Sequence, residues 1–492
     1  MKKILLVGFV LLFTGCASQV EIEEEKIEET KKETISTEKA PKKNELNGYR
    51  KEEGKVFYDK YELDEADFKS FEVLNEHYAK DKNNVYFEEK NIIGADAKSF
   101  KALSNEYAKD KNYIYYETYT PKHNDITFDT ESFEVLAGPF TKDKNHIYHA
   151  TFKINDADYS SFEVLNQHYA KDKNYAYAIG GKIKDANLES FEVLSGFYAK
   201  DKKNVYFFGI KIENAYVKSF EVLSDFYTKD KKNVYSSGVK IENAYAKSFE
   251  VLNENYAKDK KHIYSYYQKV EEADHKSFEV LNKFYAKDKN NIYFSSRKIE
   301  SISQNELEVL ALRYLKNKYS VFYNGKKIED ADPESFEVLN ENYAKDKKNV
   351  YSSEVKIEDA DPESFKILKY NYTKDKNYLW NFKKIENVDL ETFKILDSIY
   401  TKDKNYIYRM NNIMKDYDSE SFQILKYSYT KDKNNVYFLD RKLENVDPDT
   451  FEILNSHDAR DKTHTYKDGI LQESIIPKES INSQPRVKVR RK

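Results

Sequence analysis

The 492-residue chain is short of the residues that most enzyme sites need. It contains one cysteine, at position 16, so nothing downstream can form an intrachain disulfide or a thiolate metal site. Thirteen glycines leave little material for a phosphate-binding loop, and no GxSxG, HExxH, Walker-type or dinucleotide-binding pattern occurs. We therefore expect a protein that is not an enzyme and that requires no metal or other cofactor.

The composition is polar but rich in aromatic residues. Mean hydropathy is −0.86, and 34% of the residues are charged. The chain nevertheless contains 43 Tyr and 30 Phe, whose rings bury large apolar areas in a folded protein. This aromatic content argues against a disordered chain. The 82 Lys and Arg residues nearly balance the 86 Asp and Glu residues, so no global field recruits a nucleic acid. A packed chain with an aromatic-rich core and no nucleic-acid partner is expected.

The first apolar run, residues 4–13, is too short to span a bilayer permanently. It follows Lys2 and Lys3 and precedes small residues, which predicts a secretory signal peptide over 1–15. The stretch LLFTGC resembles the lipobox of bacterial lipoproteins, although Phe13 stands where Leu is commonest. An ordinary cleaved signal with an incidental cysteine is the alternative.

The lipobox resemblance implies that Cys16 is acylated on sulfur and, after cleavage, on its new amino terminus, with palmitate among the acyl chains. More than one chain gives stable attachment to a membrane. We expect a bacterial cell envelope protein, at the outer membrane or cell surface in preference to a periplasm-facing position. Residues 16–50 then follow as the lipidated cysteine and a charged, disordered tether, because they hold almost no aromatic residue.

A repeat occupies residues 51–467. We call the aromatic position of the motif SFEVL the mark of a unit, and we number the fourteen units in chain order by their marks. The spacing is 29 residues, with one interval of 33 and one of 28. Asp follows the mark by ten residues in every unit except the ninth, which has Asn317, and an aromatic residue follows five later. The marks are Phe71, Phe100, Phe133, Phe162, Phe191, Phe220, Phe249, Phe278, Leu307, Phe336, Phe365, Phe393, Phe422 and Phe451.

Each unit follows a β pattern. SFEVL alternates apolar and polar residues, and YAKD and NVY flank a short polar turn, as in a hairpin. KIE is a further short strand, entered in one unit through Asn324-Gly325. In DADPESF, Asp332 suits a cap and Pro333 a first helical position, which predicts one helical turn. We expect Asn or His three residues after the Asp to adopt positive φ.

The recurring YAKDKNNVYF and KIENADxxSFEVL resemble the DKNYY repeat family of bacterial envelope and secreted proteins. The resemblance covers roughly residues 55–467, with 301–323 in the ninth unit the most divergent. It implies a repeat architecture at the cell envelope and supplies no catalytic residues. We expect a mainly β tandem array that forms an open solenoid or superhelix, with a β-propeller-like closure as the alternative.

Three groups of residues are candidates for chemistry. The Asp column offers oxygen ligands for calcium, but each Asp precedes a Lys, which favours a role in the turn. His123, His146 and His149 cluster near the longest interval, around 116–128, where loop and turn roles are favoured over a metal site. The tyrosine columns are mostly core, yet a partly exposed ladder at Tyr78, Tyr86, Tyr343 and Tyr351 would bind a glycan or an extended peptide.

The C-terminal segment, 468–492, ends in the basic sequence PRVKVRRK and is expected to be a solvated tail. Together these patterns predict a non-catalytic, lipid-anchored repeat protein that presents an extended binding or spacer surface to a protein or glycan ligand. A periplasm-facing scaffold for an envelope assembly is an alternative. An enzyme acting on glycans or the cell wall is a further alternative, which would require acidic pairs in atypical units.

Overall fold

The computed structural model describes residues 45–474, except 47, 60, 64, 119–127, 301, 455 and 456. This part of the chain forms fifteen consecutive antiparallel sheets, each with its strands in chain order. Fourteen sheets have four strands, and the sheet that precedes the undescribed loop has three. The sheets span 45–62, 72–91, 101–116, 134–153, 163–182, 192–211, 221–241, 250–269, 279–298, 308–328, 337–357, 366–385, 394–414, 423–442 and 452–474.

Unit 6 shows the plan that the other units repeat. Its strands are Glu221–Val222, Tyr227–Lys229, Val234–Ser236 and Val239–Ile241. The second and third strands pair as the hairpin that the alternation of YTKD and NVY predicts. The KIE segment pairs with the third strand, as expected, whereas SFEVL contributes only a two-residue strand. The all-β expectation is confirmed.

The β structure extends beyond the predicted limits of the array at both ends. An N-terminal sheet with strands Glu45–Leu46, Tyr49–Glu52, Lys55–Tyr58 and Tyr61–Glu62 occupies part of the segment predicted to be a tether. It lacks both the SFEVL mark and the Asp that follows it, so self-comparison does not detect it. At the other end, Ile470–Ser474 pairs with the preceding strand of unit 14, so the predicted tail begins inside a sheet.

The turn before each mark is helical in only a few units. Short 3-10 helices form at Leu188–Ser190, Val217–Ser219 and Ala246–Ser248, in units 5, 6 and 7, and at Lys369–Asn371 elsewhere. In most other units a capping Asp holds a hydrogen-bonded turn instead. At Asp67, for example, Oδ1 accepts both the backbone N–H and the hydroxyl of Ser70. The expected helical turn is therefore wrong for these units, because the capping side chain closes the turn by itself.

The hydrophobic core lies between neighbouring units. One cluster contains Tyr227 and Val234 of unit 6 together with Phe249 and Tyr264 of unit 7. The ring of Phe249 lies 5.6 Å from that of Tyr227 and 5.8 Å from that of Tyr264, so the mark of unit 7 packs between a tyrosine of unit 6 and a tyrosine of its own unit. A single unit cannot bury these rings alone, which is the physical basis of a stacked repeat array.

The array is an open solenoid whose coil brings distant units together. The rings of Tyr113 in unit 2 and Tyr427 in unit 13 lie 6.0 Å apart, and Lys426 Nζ lies 4.3 Å from the centre of the Tyr113 ring. The units in contact are eleven apart, whereas a seven-bladed ring would join its first and seventh units. Among the described residues, no helix is long and apolar enough to cross a membrane.

Candidate functional site

The aspartate ten residues after each mark is the centre of a hydrogen-bond network. In unit 1, Asp81 Oδ1 accepts the backbone N–H groups of Asn83 and Asn84, both at 2.7 Å. Its Oδ2 accepts the backbone N–H of Asp67 at 2.9 Å and the hydroxyl of Tyr86 at 3.0 Å. The carboxylate thus closes the turn, holds the segment before the mark and binds the aromatic column. Its turn role is confirmed.

Electrostatics keep this carboxylate ionised. Burial would raise the pKa of Asp81, but hydrogen bonds from the backbone N–H groups of Asp67, Asn83 and Asn84 and from Tyr86 outweigh it, so the pKa is lowered. Burial, and then the charge of Asp81, raise the pKa of the Tyr86 hydroxyl, which stays protonated and donates. All four hydrogen bonds to Asp81 come from its own unit. The aspartate column therefore stabilises the fold of each unit that carries it.

The positive-φ expectation for the residue three after the Asp is wrong. Asn84 and His146 are not among the residues with positive φ. Asp Oδ1 already binds two successive N–H groups, so the turn needs no left-handed residue. Left-handed residues lie in later turns, between the third and fourth strands, as at Glu88 and the predicted Asn324-Gly325 pair, and after the fourth strand, as at Asn214.

The first tyrosine column joins one unit to the next in eight places between Tyr49 and Tyr285. Unit 3 instead has Phe140 in this column, and the hydroxyl of Tyr314 in unit 9 has no hydrogen-bond partner among the described residues. Tyr78 in unit 1 donates its hydroxyl to the carbonyl of Glu106 in unit 2, at 2.7 Å. The acceptor is always the residue before the next unit's own member of the column. The same bond is formed by Tyr49, Tyr107, Tyr169, Tyr198, Tyr227, Tyr256 and Tyr285.

The four tyrosines of the predicted binding ladder lie inside the array. Relative exposure is 0% for Tyr78, 2% for Tyr86, 8% for Tyr343 and 0% for Tyr351. The ladder was expected to bind only if it is partly exposed, and these four positions do not meet that condition. They occupy the core positions that the sequence also allowed for the tyrosine columns.

Two of the three histidines of the predicted local group, His146 and His149, lie among the described residues. His123 lies outside the described residues, and the backbone N–H of His146 donates to Asp143 in the turn. His149 packs against Phe140, with ring centres 4.8 Å apart, and burial, assisted by the nearby His168, lowers its pKa to about 4. Within the described ranges no three His, Cys, Asp or Glu side chains form a group that could hold a metal ion. Cys16 and the basic C-terminus also lie outside the described residues.

The divergent ninth unit keeps its sheet through a paired exchange in the hydrogen-bond network. Asn317 replaces the aspartate, and its Nδ2 donates to the carbonyl of Ser303 at 2.9 Å. Phe322 replaces the tyrosine of the second column and is buried. An amide has one acceptor oxygen where a carboxylate has two, so it pairs with a residue that offers no hydroxyl.

A row of exposed apolar side chains lies at the turns between the third and fourth strands. The most exposed is Phe382, at 89%. The row has no clear sequence pattern, because the residue type changes from unit to unit and its position shifts by one or two residues around the turn. The signal available was that an apolar residue recurs in a turn, where nothing requires one. Its members are Phe152, Ile179, Ile210, Tyr267, Val355, Phe382, Met410, Leu439 and Ile470.

The comparisons with known proteins agree with this repeat plan. The model of the DKNYY family matches residues 17–119, 140–267, 256–313, 314–441 and 353–470. No curated protein and no solved structure matches the chain significantly. The matches cover well over half of the sequence and include the units whose Asp, Lys, Asn and Tyr positions are described above. The chain therefore belongs to the DKNYY family.

Proposed function

We propose that this protein is a non-catalytic, lipid-anchored repeat protein of the bacterial cell envelope, whose array presents an extended surface to a protein or glycan ligand. Cys16 is the attachment point, and the outer membrane or cell surface is its location. One observation carries the proposal. The groups that recur in most units and could do chemistry, the Asp and Tyr columns, are used within the array to hold its turns and join its units.

The part of the array that is available to a partner is its outer surface, whose side chains recur from unit to unit. Exposed lysines follow the Asp column, and in nine units an exposed apolar side chain follows the third strand at nearly the same place. Such a surface can be long and can offer the same contact several times, which suits an extended ligand or several copies of one. A reaction centre instead requires different groups that converge at one place.

Protease accessibility on intact cells tests the location and the anchor together. The full chain with a C-terminal tag is compared with its Cys16→Ala variant. We expect digestion of the wild-type chain without lysis, and release of the variant from the membrane fraction. Protection until the envelope is opened would instead support a periplasm-facing scaffold. A variant that stays with the membrane fraction would contradict the lipid anchor.

A further inference from the structure

In most units the surface lysine after the Asp column is paired with a carboxylate. Lys82 Nζ lies 2.9 Å from Asp67, the residue four before the mark, and Lys144 and Asp129 are 2.6 Å apart in unit 3. These pairs leave little uncompensated charge at the turn between the second and third strands. The same pair forms at Lys111, Lys173, Lys289, Lys347, Lys376, Lys404, Lys433 and Lys462.

Units 5, 6 and 7 break this rule in two ways at once. The residue four before the mark is Asn187, Tyr216 and Tyr245, so the pairing carboxylate is absent. The residue two after the Asp, which is Asn in most units, is Lys in all three. Each turn thus gains one positive charge and loses one negative charge. The six exposed lysines of this basic row are Lys202, Lys203, Lys231, Lys232, Lys260 and Lys261.

Tyr216 and Tyr245 contact the lysine ammonium groups through their rings, and the fold beneath them is unchanged. Lys231 and Lys232 Nζ lie 4.8 and 4.9 Å from the ring centre of Tyr216, and Lys260 lies 4.1 Å from that of Tyr245. Both rings are partly exposed, at 38% and 36%. The backbone N–H of Tyr216 still donates to Asp230 at 3.0 Å, as the Asp at this position does in other units. The substitution therefore changes the surface and leaves the network beneath it intact.

The basic row is poorly neutralised by neighbouring acids. Lys202 lies 4.0 Å from Glu189, and among the described residues no carboxylate lies within 4.0 Å of the other five ammonium groups. Lys218 and Lys247, two residues before the marks, add exposed positive charge in units 6 and 7. Burial and hydrogen bonding keep the nearby Asp201, Asp230 and Asp259 inside their turns.

We propose that the basic row of units 5–7 binds a linear anionic polysaccharide, with carboxylate or sulfate groups placed along the ammonium groups. This inference rests on the proposed function and names its ligand class. The lysines occupy the same position in three consecutive units, so they form a line with the repeat of the array. A flexible polymer that carries a charge on successive sugars can follow such a line, and each contact releases a counterion.

Two other polyanionic partners fit the row less well. Proteins that bind single-stranded nucleic acid stack bases on open aromatic faces, whereas Tyr216 and Tyr245 already engage lysine ammonium groups. An anionic membrane is a plane, and a basic surface that binds it spreads its cations over an area. A single line of cations matches a linear polyanion better than it matches a planar anionic surface.

The test uses the full chain with Cys16→Ala, so that no lipid contributes to binding. Affinity is measured for polygalacturonate and dextran sulfate, which separate carboxylate from sulfate, with neutral dextran as the blank. Single-stranded oligothymidylate and phosphatidylglycerol vesicles represent the other two classes. The row is altered by Lys203→Asn, Lys232→Asn and Lys261→Asn together, which installs the residue most other units have. Lys348→Asn is the matched control, because its unit keeps the Lys347–Asp332 pair.

We expect binding to at least one anionic polysaccharide that weakens as salt rises above about 0.1 M. The triple Asn variant should bind about a hundredfold more weakly, roughly fivefold per lysine, and Lys348→Asn should bind like the parent. Lysine-to-arginine changes at the same three positions should keep the affinity. Unchanged circular dichroism and melting temperature show that all variants are folded.

The proposal is overturned by equal loss of affinity in the triple variant and in Lys348→Asn, or by no loss in the triple variant. Tighter binding of the oligonucleotide or the vesicles than of either polysaccharide also overturns it. The assay does not depend on cellular location, so its failure is distinct from that of the protease experiment. Protection from protease would contradict the surface location and leave this result unaffected.

Discussion

The hydroxyl of Tyr206 lies 2.7 Å from Oδ2 of Asp201, and the ninth unit exchanges both partners together. There, Asn317 and Phe322 stand at the two positions and the sheet is preserved. The chain thus contains two versions of this hydrogen-bond network, one with Asp and Tyr and one with Asn and Phe, which can be compared directly. In the ninth unit the loss of the carboxylate is matched by loss of the hydroxyl, whereas unit 11 keeps Asp375 beside Trp380, so the tyrosine depends on the aspartate more than the aspartate on the tyrosine.

A double-mutant cycle tests this dependence. Asp201→Asn removes a charged acceptor and should cost about 2–3 kcal/mol of unfolding free energy, and Tyr206→Phe about 1–2 kcal/mol. The double variant should be more stable than the sum of the single costs implies, with a coupling of about 1 kcal/mol. Urea unfolding followed by circular dichroism measures all four chains. Strictly additive costs would show that the two residues act independently.

Removing one hydroxyl from the first tyrosine column should weaken one junction between units. Tyr227 is fully buried and donates to the Asn255 carbonyl at 2.6 Å. Tyr227→Phe removes one of the two donors to this carbonyl, which keeps its bond from the backbone N–H of Tyr266, and should cost about 1 kcal/mol. Because units stabilise one another through their interfaces, we also expect a broader unfolding transition. Tyr319→Phe removes a hydroxyl from an exposed ring and serves as the control. Equal effects of the two changes would contradict the junction role.

His149 should make the array less stable in acid. Burial lowers its pKa to about 4, against an ordinary value of about 6.5, so the folded state binds the proton less readily than the unfolded state. The stability contributed by the neutral ring is complete above pH 6.5 and is lost as pH falls towards 4, by at most about 3 kcal/mol.

The measurement is the melting temperature between pH 7 and pH 4 for the wild type and His149→Phe. Phe occupies the corresponding position in several units, for example Phe207. The two curves should diverge as pH falls below 6.5, with the variant retaining more of its stability. Parallel curves would show that the ring takes up its proton as easily in the folded chain as in the unfolded one.

The contact between units 2 and 13 should hold the coil at its observed pitch. Tyr113→Ala removes the ring that meets Tyr427 and Lys426, and should increase the radius of gyration measured by small-angle X-ray scattering. Tyr406→Ala is the matched control, because Tyr406 occupies the same position of unit 12 and packs against Tyr408 of its own unit. Equal radii for both variants would show that unit-to-unit packing alone sets the pitch.

The local features of this fold could be predicted from the sequence because they repeat within short segments. The Asp turn and the hairpin that it closes depend on residues within five positions of one another. The other partner of Asp81, the N–H of Asp67, lies fourteen residues upstream, and only the folded unit brings it near. The Tyr113–Tyr427 contact depends on small rotations that accumulate over eleven units, which no single motif encodes.

The surface was harder to predict for a different reason. Phe382 and Met410 lie in turns whose residues vary, so no column marks them. The lysines of units 5–7 can be read from the sequence, but the sequence does not show that Lys202 and Lys231 lack the usual carboxylate partner because Asn187 and Tyr216 replace it. The two positions are fifteen residues apart, and their pairing becomes evident only from the Lys82–Asp67 contact in the folded chain.

Where a hydroxyl of the first tyrosine column forms a hydrogen bond to another unit, that unit is its successor along the chain, as for Tyr78, Tyr227 and Tyr285. In unit 14, which has no successor, Asp458 takes the place of the donor tyrosine. The two ends of the array therefore differ, and the array has a direction. Adding or removing a whole unit would keep this direction. It would also change which distant units meet, such as the pair joined by Tyr113 and Tyr427.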